Sequence, residues 1–318
     1  MLVSALWGLS SMSSENSSLI SGEKKLLIPT DRFNSDMMKT VSLDEITRGE
    51  SWIGLGIAGN QAGHLSQAGE AGDFTDVVAE ENAPKGMFPW YIPGHESFLS
   101  TNPVSSSTVT SKEGDPIQPE PEIGLVVEFH YAEGDVVESL SVRGFSAFND
   151  FSRRIPAPKI SLKKNWGPAS QGLADKILPV EDFHLSGGLI DQFRLGCYVV
   201  RSGELLQYGE DTAVSDYCYF NQKLVDWIIH QINTQQDVGP LEQIGAMVNQ
   251  VRPSFAVIGI GATCYTEFGN SAERFVQVGD EVIVVAYDQR QLTQDQVEEQ
   301  LRTGAELEGA LVLRQTVS

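Results

Sequence analysis

Residues 122–148 contain two long apolar runs rich in β-branched residues, EIGLVVEFHYA and VVESLSVRGFSAF, separated at Gly134-Asp135. Val, Ile, Phe and Tyr pack well on a pleated surface, and Gly-Asp closes a tight reversal, so these runs are expected as neighbouring strands. The same pattern recurs downstream. FRLGCYVV (193–200) and ELLQYGED (204–211) flank Arg201-Ser202-Gly203 and predict a second hairpin. SFAVIGIGA (254–262) and RFVQVGDEVIVVAY (274–287) add further strands, the latter turning at Gly279-Asp280. One strong amphipathic helix is expected over about 216–236, where Phe220, Leu224, Trp227, Ile228 and Ile232 form a stripe. A last helix is expected around 294–302. Many strands and one main packing helix predict an α+β fold with a mainly antiparallel sheet.

The first 48 residues are Ser-rich with one short apolar run at 26–28, and are expected as a partly flexible extension. The opening MLVSALWGLSS has no basic region before its apolar run, so a signal peptide is not favoured. No stretch reaches the roughly 20 apolar residues of a membrane helix. With 43 acidic against 22 basic residues the net charge is -21, which repels nucleic-acid phosphates and anionic lipid. Neither nucleic acid nor membrane is expected as a partner. Cys197, Cys218 and Cys264 lie far apart without C-x-x-C spacing, which argues against a disulfide framework and suits the reducing cytoplasm. In EENAPKGMFPWYIPG (80–94) the aromatics alternate with prolines and predict an extended, packed wall.

GLGIAG (54–59) fits G-x-G-x-x-G by letter. A dinucleotide turn also needs an amphipathic helix opening at its third glycine and a following parallel strand. Gly63 and Gly69 interrupt any such helix, which leaves dinucleotide binding at Gly54–Gly59 a minor alternative. A second constellation lies in QPEPEIGLVVEFH. Glu120 and Glu122 are two apart at the mouth of a strand and so project to one face, stiffened by Pro119 and Pro121. Two ionised carboxylates side by side repel unless a cation neutralises them, and such hard oxygen ligands suit Mg2+, Mn2+ or Ca2+. Asp150, at the exit of the next strand, would bring a third carboxylate near the pair. The competing reading, in so acidic a chain, is a solvated E-P-E turn.

E-x-E at a strand start, then Asn149-Asp150-Phe151-Ser152-Arg153-Arg154, then Lys164-Asn165-Trp166, then the late GIGAT (259–263) resembles the fumarylacetoacetate hydrolase family over roughly residues 50–290. The resemblance implies that Glu120, Glu122 and Asp150 bind a divalent metal, Mg2+ or alternatively Mn2+ or Ca2+. It implies Arg154 as a substrate-side arginine and Lys164 as the active-site lysine, with Lys163 the register alternative. Gly261 and Thr263 would lie near the substrate. Asn60 would also contact the substrate, and His64, closing GNQAGH, matches the family's catalytic histidine. The glutamate that usually follows this histidine by three residues is Gln67 here, so Glu70 is the nearest acid partner.

The implied fold is a β-roll or barrel-like mixed sheet with a smaller N-terminal part. It is divided into the extension 1–48, a catalytic domain 49–290 and a C-terminal helix and tail 291–318. Within the catalytic domain, 49–110 holds the His loop and 111–290 the metal-binding core. The glycines of the His loop are then expected to let a mobile segment close over a metal-bound acid. The implied activity is that of a metal-dependent hydrolase or lyase, commonly a homodimer. It would act on a small 2-oxo acid or acylpyruvate-like 1,3-dicarbonyl through a metal-stabilised enolate, by C–C hydrolysis, decarboxylation, hydration or isomerisation. A non-catalytic relative that binds a small acid is the alternative.

Overall fold

The computed structural model describes residues 38–318 apart from Glu81 and Asp135; the run at 26–28 and the rest of the chain before 38 lie outside the described residues. The longer strands are β1 (Trp52–Ala58), β2 (Gly86–Tyr91), β3 (Pro121–Tyr131), β4 (Val137–Asn149), β5 (Phe193–Arg201), β6 (Glu204–Ala213), β7 (Phe255–Gly259), β8 (Glu281–Asp288) and β9 (Ala310–Val317). The helices are α1 (Leu43–Thr47), α2 (His64–Gln67), α3 (Ser161–Lys164), α4 (Asn221–Thr234), α5 (Ile244–Val251) and α6 (Gln294–Thr303). None of them is long and apolar enough to cross a membrane.

The strands form two main sheets. The first runs β2-β1-β7-β3-β4 and is extended beyond β4 by the short strands Gln171–Leu173 and Val104–Ser105. Its long strands pair antiparallel except β1 with β7. The second runs β6-β5-β8-β9, all antiparallel, with Thr108–Val109 parallel at its edge. The α+β class with a mainly antiparallel, mixed sheet is therefore as expected. The inner faces share one core, in which Ile123, Leu125, Phe145 and Ala147 meet Leu195, Val284 and Leu313. Leu224, Ile228 and Ile232 of α4 join the same core, which makes it the main packing helix.

Several boundaries differ from those expected. The β5–β6 reversal is a two-residue turn in which Ser202 and Gly203 both take positive φ, 53° and 83°, matching the twist of the paired strands. α4 begins at Asn221 rather than near 216, because Phe220 is extended (φ -147°, ψ 166°). The C-terminal segment is not a tail: β9 pairs with β8 from Glu281↔Thr316 to Tyr287↔Ala310. At the other end, Val41 bridges Ile177, which ties the start of the described chain to the body.

The glycine fingerprint has a different cause from the one its letters suggest. Gly54 and Gly56 lie inside β1, not in a turn, and aromatic rings from β2 lie across them. A Cβ added at Gly54 would fall 2.2 Å from the Trp90 ring, and one at Gly56 2.3 Å from the Phe88 ring. Trp90 is held there by its indole N–H, which donates to the Leu55 carbonyl at 2.8 Å. The dinucleotide reading is thereby corrected: no helix opens at Gly59, and the first two glycines make room for rings. They are not hinges of a loop either. Only Gly59 and Gly63, with φ of 79° and 86°, serve the turn that follows the strand.

Candidate metal centre

The register of the β3–β4 hairpin builds the site. Pro121 pairs with Asn149 and Glu122 with Phe148, so one step beyond the ladder Asp150 stands opposite Glu120. The Asp150 N–H donates to the Glu120 carbonyl at 2.9 Å, and the Glu120 N–H donates to Asn149 Oδ1 at 3.0 Å. Residues two apart on a strand, and residues directly opposite, share a face. The three carboxylates therefore converge, with one oxygen of each within 4.8 Å of the others. All three residues are buried, which rules out the solvated turn.

β7 completes the cradle. Gly259 leaves the space that Glu122 uses: a Cβ there would lie 2.5 Å from Glu122 Oε2. Gly261, at φ 118°, aims its N–H at the same oxygen at 2.9 Å. Its carbonyl accepts from the Tyr217 hydroxyl at 2.7 Å.

Two buried cations face the carboxylates. Arg154 Nη2 donates to Glu120 Oε1 at 2.5 Å and to the Tyr265 hydroxyl at 2.9 Å, while its Nε donates to Gln118 Oε1 at 2.7 Å. Lys164 Nζ donates to Glu120 Oε2 at 2.6 Å and to the Asp150 carbonyl at 2.9 Å. It also lies 2.7 Å from Asp150 Oδ2, an ion pair without hydrogen-bond geometry. α3 is pinned so that Lys164 points inward: Gln171 Nε2 donates to the Lys164 carbonyl at 2.7 Å, and the Ser161 hydroxyl donates to Glu242. Lys163, about 100° round the helix, turns away toward Glu70 and Asp73. The register alternative is thus resolved in favour of Lys164 as the lysine on the carboxylates.

Burial raises the Glu120 pKa, but Lys164 and Arg154 outweigh it and hold the group at about 2. Glu122 is pushed well above the usual carboxylate range by burial and by Asp150. Asp150 is raised to about 7 by burial and by Glu120, against the pull of Lys164. Ionising all three carboxylates against two cations would leave negative charge uncompensated, and Asp150 Oδ1 has no partner. An all-oxygen donor set with an unpartnered buried acceptor, Asp150 Oδ1, fits a hard divalent cation, and Glu120, Glu122 and Asp150 are the residues that would hold it.

His64, buried at the first position of α2, places Nδ1 2.9 Å from the Thr263 carbonyl. A carbonyl only accepts, so Nδ1 carries the proton and Nε2 keeps its lone pair. Burial holds the His64 pKa below its ordinary value, opposed by Glu120 and assisted by Arg154. The Tyr265 ring lies 5.1 Å from the imidazole, centroid to centroid.

The remaining expected residues sit close by in other roles. Glu70 pairs with Arg154 Nη1 at 2.7 Å and Lys163 Nζ at 3.2 Å, where an acid partner for His64 was expected. Gln67 accepts from the Tyr265 N–H at 2.9 Å and so ties α2 to the turn after β7. Asn60 binds main chain: Nδ2 donates to the Tyr219 and Ile260 carbonyls at 3.0 and 2.9 Å, and Oδ1 accepts from the Tyr219 N–H at 2.8 Å. That amide braces the loop, and Thr263 contributes its carbonyl to His64. Sequence reasoning missed Tyr265 and Gln118. The spacing of Gln118, Glu120 and Glu122 carried a period-two signal for Gln118; Tyr265, in an irregular turn, had none.

A family model described as "Family of unknown function (DUF5718)" matches residues 70–317. The chain belongs to this family. No curated protein sequence matches the DUF5718 chain. Among solved structures it is similar to Cg1458 with inhibitor (16% identity, 84% of this chain and 77% of the other, TM-score 0.49). It is also similar to 5-carboxymethyl-2-hydroxymuconate delta-isomerase from Mycobacterium smegmatis (16% identity, 84% and 78%, TM-score 0.47). A third similar structure is 2-keto-3-deoxy-D-arabinonate dehydratase complexed with magnesium and 2,5-dioxopentanoate (11% identity, 85% and 74%, TM-score 0.48). These are proteins of the fumarylacetoacetate hydrolase fold.

Proposed function

We propose that this chain is a divalent-metal-dependent enzyme acting on a small 2-oxo acid or 1,3-dicarbonyl. The observation that carries the reading is the convergence of three buried carboxylates, with Asp150 Oδ1 unpartnered, beside two buried cations. Glu120, Glu122 and Asp150 would hold Mg2+ or Mn2+, which when bound supplies Lewis-acid polarisation of a chelating carbonyl oxygen. Arg154 and Lys164 supply fixed positive charge for a carboxylate or for an oxygen that gains charge, in a buried region where such charge is weakly screened. Neutral His64, with Nδ1–H engaged by Thr263, offers Nε2 to take a proton from a carbon acid or from water. Gln67 cannot supply the negative charge that a glutamate would place beside an imidazolium. That favours proton transfer or elimination over C–C hydrolysis as the reaction.

The test is thermal unfolding with Mg2+ and Mn2+ on wild type and Glu120→Gln. Saturating metal is expected to stabilise wild type by about 2–3 kcal/mol at a hundredfold excess over Kd, and the variant much less. Equal shifts in both proteins would remove the metal site. Turnover of an oxo-acid panel is then expected to fall about 100-fold or more in His64→Ala. The absence of Glu at position 67 also favours a second reading, a protein that binds a small acid without turning it over. Metal binding with no turnover on any panel member would select it.

A further inference from the structure

The network around Arg154 has a direction. Side-chain exposure is 1% at Asp150, 3% at Lys164, 7% at Glu120, 8% at Lys163, 10% at Arg154 and 15% at Glu70. Asp73, which shares Lys163 with Glu70, is more exposed still, at 47%. Glu70 is thus the more exposed of the two carboxylates on Arg154.

Glu70 also brings a carboxylate to the two outer cations of the site. Its Oε1 accepts from Arg154 Nη1 at 2.7 Å and from Lys163 Nζ at 3.2 Å. Asp73, on the same loop, accepts from Lys163 at 3.1 Å. Arg154 Nε is engaged by Gln118 and Nη2 by Glu120 and Tyr265, so Nη1, which also reaches the Ser152 hydroxyl at 3.3 Å, is the arm that holds Glu70. A small acid that entered with Glu70 in place would have to compete with its carboxylate for Arg154 and Lys163. An acid that replaced Glu70 would leave the charge balance unchanged and inherit both hydrogen-bond donors.

We propose that Glu70 stands in for the carboxylate of the ligand, and that a small carboxylic acid binds by displacing it from Arg154 and Lys163. That the ligand is an oxo acid rests on the function proposed above; the competition for the two cations does not. Glu70 is then a gate whose own charge sets specificity. Anions that match a carboxylate replace it, and uncharged analogues gain nothing by doing so.

The experiment is chemical rescue in the full chain. Glu70→Ala is expected to unfold at a lower temperature than wild type, and millimolar acetate is expected to raise its Tm saturably while leaving wild type unchanged. Sodium chloride at equal ionic strength should not reproduce the effect. Acetate acting alike on both proteins, or no better than chloride, overturns the proposal. Glu70→Gln, an isosteric change, provides a second arm if the alanine variant does not fold. Calorimetric titration is expected to show pyruvate binding about tenfold tighter than to wild type, with methyl pyruvate unaffected by the substitution. Unchanged pyruvate affinity in the folded glutamine variant likewise overturns it. Both arms are run in EDTA and in Mg2+. A failed metal site leaves the acetate and pyruvate responses readable, and an intact metal response without them condemns this proposal alone.

Discussion

Gly259 has no Cβ, and the Glu122 carboxylate lies in the space one would take. Gly259→Ala would force Glu122 Oε2 from a 2.5 Å contact, and the ring of Phe148, 2.9 Å away, blocks relaxation on the other side. The expected cost is about 1–3 kcal/mol of stability, together with loss of the metal-induced rise in Tm. Calorimetry with and without Mg2+ checks both, and a variant that keeps the full metal response would show that the carboxylate tolerates displacement. Position 67 shows the limit of reading single letters. The change from the expected Glu to Gln is visible in the sequence, but its consequence is not. The Gln67 amide meets the main chain of Tyr265, 198 residues away, and that partner exists only once α2 lies against the turn after β7.

At the scale of elements, the hairpin β3–β4 was legible because its two runs are apolar, β-branched and separated by turn residues. Its register was also implicit: a short reversal after Tyr131 leaves Glu120 and Asp150 at the same open end. β1 was not legible. WIGLGIA lacks alternation because the strand is buried on both faces, and its glycines answer to rings 36 and 32 residues away. Gly54→Ala and Gly56→Ala are each expected to destabilise by about 2–3 kcal/mol through overpacking against Trp90 and Phe88, although neither backbone needs positive φ. Chemical denaturation checks this. Substitutions costing less than about 0.5 kcal/mol would mean the rings are free to shift. α5 was missed for a related reason: eight residues of IGAMVNQV offer too short a window for a helical period to stand out.

The whole molecule carries a net charge of -21 on a surface with few compensating cations, while Arg154 and Lys164 are sealed inside. Salt screens the first kind of interaction over about 10 Å at 0.1 M and reaches the second hardly at all. Raising sodium chloride from about 20 mM to 0.5 M is therefore expected to increase Tm, with potassium chloride equivalent. A Tm that is flat or falls with salt would mean that surface ion pairs such as Arg48–Glu128 outweigh the general repulsion.

The sequence by itself determined the strand-forming segments, the shared face of Glu120 and Glu122, and the acidic surface. These follow from the local period of side chains and from composition, which need no partner. Tertiary structure alone decided the rest. It set Gly54 and Gly56 under rings, joined β9 to the second sheet, and gave Glu70 to Arg154, 84 residues away, instead of to His64. A carboxylate goes where the nearest desolvated cation lies. That position is fixed by how the sheets, α3 and the His loop pack together, not by spacing along the chain.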